Sequence, residues 1–68
     1  MKTIKRELEE RYNFYNNRAL IEAEEARRKE PKTLAYARAQ AGAAYNRGRA
    51  DAIGEVMEMI GLEVPDDF

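Results

Sequence analysis

Pro31 stands in the middle of a chain whose apolar residues recur every three or four positions on both sides of it. Proline lacks a backbone N–H and biases the preceding residue out of helical geometry, yet it suits the first turn of a new helix. The segment Lys29-Glu30-Pro31-Lys32-Thr33 is therefore expected to end one helix and begin another. Thr33 competes with Pro31 for the start, because a threonine side chain accepts a hydrogen bond from the unpaired N–H groups of a first turn. The chain reads as a single helical-hairpin domain over 1–68, with helix one over about 3–29, the turn over about 30–33 and helix two over about 33–60. Gly61 is expected to cap the second helix in a left-handed conformation, and an acidic tail follows over 62–68.

At about 100° per residue, Ile4, Leu8, Tyr12, Tyr15, Ala19, Ala23 and Ala26 fall on one face of helix one. Leu34, Ala41, Tyr45, Gly48, Ala52, Val56 and Met59 form a stripe on helix two. Folding the chain at Pro31 sets Leu8 opposite Val56, Tyr12 opposite Ala52, Tyr15 opposite Gly48, Ala23 opposite Ala41 and Ala26 opposite Ala37. Large residues then face small ones, as a close-packed core requires. Lys5 with Glu58, Arg11 with Asp51 and Glu25 with Arg38 fit the same register, although exposed pairs stabilise by only about 0–1 kcal/mol. The expected fold class is all-α, an antiparallel two-helix hairpin.

A second apolar set remains: Phe14 and Ile21 on helix one, and Ala39, Gly42, Ala50, Ile53 and Met57 on helix two. A chain of 68 residues sits where one core is thin, and without cysteine or histidine it has no disulfide and lacks the commonest metal ligands. Oligomerisation is the remaining source of stability. These seven residues are expected to form the interface of a homodimer, two hairpins making a four-helix bundle. Gly48 is expected to make room for Tyr15 and Gly42 to lie in the close interface, whereas Gly54 projects toward the polar side without a reason. Asn16 borders the helix-one stripe and is expected to be solvated.

The chain has no serine, cysteine or histidine, so catalytic triads are excluded and no enzyme is expected. Its glycines form no phosphate-binding loop. Asp51, Glu55 and Glu58 share a face at a spacing that a hard cation could use, but such runs are usually solvated, and neither a metal nor a cofactor is expected. Arg38, Tyr45, Arg47 and Arg49 lie in an acid-free stretch over 31–50 and supply the chemistry of phosphate contact and base stacking. Nucleic-acid binding through them is the alternative function. With 44% hydrophobic and 37% charged residues and a net charge of -1, the chain is expected to be ordered. Apolar runs of only a few residues and a charged beginning point to a cytoplasmic protein without membrane association.

The tail Leu62-Glu63-Val64-Pro65-Asp66-Asp67-Phe68 ends in carboxylates and an aromatic ring, the anion and apolar plug that basic pockets capture. Pro65, Asp66, Asp67 and Phe68 resemble the acidic C-terminal tip of bacterial single-stranded-DNA-binding proteins, although here the proline precedes the aspartates. That tip docks replication and repair proteins, so the resemblance implies partner binding through Asp66, Asp67 and Phe68. The other reading of the tail is a frayed acidic terminus, or Leu62 and Val64 folding back over the open end of the hairpin. The function expected is that of a small non-enzymatic interaction protein, a self-associating helical scaffold whose partners are itself and an unidentified protein. An accessory or inhibitory role, as in phage-type inhibitors of host nucleases, follows by analogy only.

Overall fold

A computed structural model describes residues 3–65 as two helices, α1 (Ile4–Arg28) and α2 (Leu34–Met59), packed against each other. Each begins at a threonine. The Thr3 hydroxyl accepts from the Arg6 N–H and the Thr33 hydroxyl from the Tyr36 N–H, both at 3.1 Å. Thr33 rather than Pro31 therefore opens α2, and its hydroxyl also donates to the Glu30 carbonyl at 2.7 Å, closing the turn on itself. Lys32 takes a left-handed φ of 73° within this turn.

The far end of α2 closes by a different device. Gly61 adopts a φ of 83°, its N–H reaches the Glu58 carbonyl at 3.1 Å, and the Leu62 N–H reaches the Met57 carbonyl at 2.8 Å. This crossed pair satisfies carbonyls that the last turn leaves open, and glycine carries the left-handed position without a Cβ clash. The turn also directs Leu62 and Val64 back onto the core formed by Tyr12, Ala50 and Met57. Leu8, Tyr15 and Ile53 complete that core from its edges. No helix among the described residues is long and apolar enough to cross a membrane.

The two helices meet at nearly the expected height but with α2 turned roughly 150° about its own axis from the expected face, at about 100° per residue. Asn46, Ala50, Gly54 and Met57 are buried, with Ala39, Gly42, Ala43 and Ile53 half-buried beside them. Leu34, Ala41, Tyr45, Gly48, Ala52, Val56 and Met59, the expected core stripe, are exposed. Tyr12 lies against Gly54 instead of Ala52, and the Tyr15 hydroxyl meets Arg49 instead of Gly48. Small residues explain the choice. Alanine and glycine let two backbones approach, so each of the few large inward side chains finds neighbours on all sides. The expected pair of Arg11 with Asp51 is replaced as well: Arg11 pairs with Glu7, and Asp51 with Arg47, within their own helices.

Gly54, which the sequence left without a reason, is thus a core residue. A Cβ there would stand 3.5 Å from Tyr12 Cε2 and 3.6 Å from Val64 Cγ1, ordinary contact distances. The site has room for a methyl group. Gly54→Ala is therefore expected to raise stability by up to about 1 kcal/mol through helix propensity. A thermal melt followed by circular dichroism checks this, and a lowered midpoint would mean the helices are closer than described.

Candidate interaction surface

Between the helices, next to the apolar core, lies a polar layer. Asn16 is 2% exposed, and its carbonyl oxygen accepts from Arg47 Nη1 at 2.6 Å. Asn46 is also buried; its amide donates to Glu22 Oε1 and to the Gly42 carbonyl, both at 3.0 Å. Arg18 meets the same Glu22 oxygen at 3.2 Å. Among the described residues no buried side-chain nitrogen or oxygen is left without a partner. Asn16 is therefore not the solvated residue the sequence suggested, and Gly42 serves this layer, since a Cβ there would fall on the Glu22 carboxylate.

The layer fixes how the helices meet, because sliding or turning either one would strand buried amides. Asn46→Ala removes both amide donations and is expected to lower stability by about 1–3 kcal/mol. Asn13→Ala, on the exposed face of α1, should change it by no more than about 0.5 kcal/mol. Urea unfolding of the two variants compares them directly; equal effects would count against the layer.

On one side of the hairpin Arg49 is held by two aromatic rings. Its guanidinium carbon stands 5.0 Å from the Tyr15 ring centre and 5.8 Å from that of Tyr45, and its Nη2 donates to the Tyr15 hydroxyl at 3.2 Å. The Tyr15 hydrogen bond, aided by the charge distribution of both tyrosines, pushes the Arg49 pKa above its already high ordinary value. Phe14 sets its ring edge-on to Tyr15 at 5.2 Å. Next to this cluster an open groove is lined by Ile4, Leu8, Arg11, Val56 and Ile60.

The residues expected between two hairpins do not share a surface. Ala50 and Met57 are 0% exposed within the single chain, and Ala39, Gly42 and Ile53 turn toward α1 with them. Phe14 and Ile21 remain outside, 58% and 51% exposed. The set considered for nucleic acid also divides. Arg47 reaches Asn16 and Asp51 on one side of the hairpin, whereas Arg49 and Tyr45 lie together on the other. Asp51, Glu55 and Glu58 make no group able to hold a metal ion, and no such group occurs among the described residues. Asp66, Asp67 and Phe68 lie outside the described residues.

What the chain does present is apolar surface. Ile4, Phe14, Leu20, Ile21, Leu34, Tyr45, Val56, Met59 and Ile60 are all exposed, while Tyr12 and Met57 are the only large apolar side chains buried among the described residues. More large apolar side chains therefore lie outside the core than within it. The outer stripe of α2 was visible in the sequence as an apolar face; its placement outside was not. Comparison with protein-family models, characterised proteins and solved structures yields no match to this chain.

Proposed function

We propose that the chain is a small non-enzymatic interaction protein, a helical hairpin that pairs with a second copy to form a four-helix scaffold for another macromolecule. Surface area carries this reading. The chain exposes 5336 Å², whereas a compact protein of 7.9 kDa would expose about 4,400 Å². The excess of about 900 Å² is close to the roughly 800 Å² that each partner contributes to a standard interface. The chain is also a rod, 43 × 21 × 20 Å, a shape that leaves two helices without a third layer. Lack of serine, cysteine and histidine in the sequence favours a binding role over a catalytic one.

Sedimentation equilibrium tests the self-association. The expected result is a mass of two chains, together with a melting temperature that rises with protein concentration. A mass of 7.9 kDa at every concentration, with a constant melting temperature, would overturn it.

A further inference from the structure

We infer that the second copy docks on the outer stripe of α2, with the two α2 helices antiparallel and the two-fold axis between Asn46 and Arg47. This rests on the self-association proposed above and specifies its surface and orientation. Three observations support it. The first is the spacing of the exposed stripe: Leu34, Ala41 and Tyr45 on one side of the centre mirror Met59, Ala52 and Gly48 on the other, and Val56 falls level with Ala37, which is also exposed. An antiparallel copy therefore sets Leu34 against Met59, Ala41 against Ala52 and Tyr45 against Gly48, bulky against small at the crossing point. A parallel copy would stack each residue on itself, tyrosine on tyrosine.

Gly48 supplies the second observation. Glycine is unfavourable inside a helix, and a Cβ at Gly48 would meet nothing within 4 Å in the chain itself. Gly42 has a neighbour in the hairpin, the Glu22 carboxylate, that accounts for it; Gly48 has none, and a tyrosine ring from a second copy provides one. Third, the stripe carries no charge of its own. Arg38 and Glu55 flank it on opposite edges, so charge lines the rim of the pair and stays out of its centre. Two-fold pairing of one surface with itself is the commonest form of oligomer, and it needs this self-complementarity.

Sedimentation equilibrium on the full chain and three variants tests the inference, with helix content checked by circular dichroism. Gly48→Gln and Ala52→Arg are expected to weaken the dimer at least tenfold while keeping the helix signal, since both positions are exposed and both new residues favour helix. Ile21→Asp, on the outer face of α1, should leave the dimer intact. Nitroxide pairs fix the orientation: labels at position 44 should be offset along the helix by about 8 Å and labels at 55 by about 25 Å, at 1.5 Å per residue. A dimer that survives Gly48→Gln and Ala52→Arg, or equally short distances at both labels, would overturn this interface while leaving self-association standing. A wild-type chain that is monomeric throughout would overturn both.

Discussion

Met57→Ala is expected to leave the chain largely unfolded at 25 °C. Met57 is 0% exposed, the largest side chain buried to that degree among the described residues. It packs with Tyr12 and Ala50, and its carbonyl receives the Leu62 N–H that turns the tail back over the core. Cutting a buried methionine to alanine removes about 2–5 kcal/mol, and a chain of this size has only about 3–5 kcal/mol to lose. Met59, two residues on, is 83% exposed. Met59→Ala in dilute solution should therefore lose no more than about 0.5 kcal/mol. Urea titration followed by circular dichroism separates the two. Equal losses at 57 and 59, or a larger one at 59, would mean that α2 presents its other face to α1.

Tyr12→Ala is the second large effect. The ring is 4% exposed and sits where α1, the inner face of α2 and the returning tail converge, against Gly54, Ala50 and Val64. Truncating a buried aromatic typically costs about 3–5 kcal/mol because the surroundings collapse only partly into the void. Here collapse is hindered, since Gly54 and Ala50 have no side-chain length with which to fill the gap. The expected outcome is loss of the cooperative thermal transition. Phe14→Ala, two positions along the same helix with its ring 58% exposed, should keep that transition within about 1 kcal/mol. Tyr12 and Met57 belong to one cluster, so combining both truncations should lower stability by less than the sum of the two.

These contrasts also separate what the sequence could say from what it could not. The two helices and the break between them were plain, because Pro31, Thr33 and Gly61 act locally and their consequences do not depend on what packs where. The face of α1 was nearly right for the same reason, since only one side of that helix is continuously apolar: Tyr12, Ala19 and Ala26 are buried on it. Helix α2 is different, being apolar on two sides. Its larger residues, Leu34, Tyr45, Val56 and Met59, invited the inference that they face inward. The hairpin instead uses Ala39, Ala43, Ala50 and Gly54, because close approach gains more contact than bulk does when only two helices are available.

The buried amides were hidden from a reading of either helix alone. Asn46 depends on Glu22, and Asn16 on Arg47, twenty or more positions away in the chain. A lone asparagine beside an apolar stripe is usually solvated; it becomes a core residue only when the opposite helix supplies its partner. The signal that was available lies in the neighbours of Asn46, since Gly42, Ala43, Ala50 and Ile53 surround it at helical spacing. The surface for a second copy followed the reverse path. Its apolar stripe could be read directly, but it was assigned to the core, while the α2 residues assigned to the interface turn toward α1 and Phe14 and Ile21 stay outside.

Helix α2 turns Gly54 and Met57, not Ala52 and Val56, toward α1. Nuclear Overhauser contacts from the Tyr12 ring test it most directly, since that ring packs against the inner face of α2. Cross-peaks are expected from the Tyr12 ring protons to the Gly54 α-protons and the Val64 methyls, whose carbons stand close to the ring. Cross-peaks from Tyr12 to the Ala52 methyl, and from Tyr15 to the Gly48 α-protons, with none to Gly54, would contradict it.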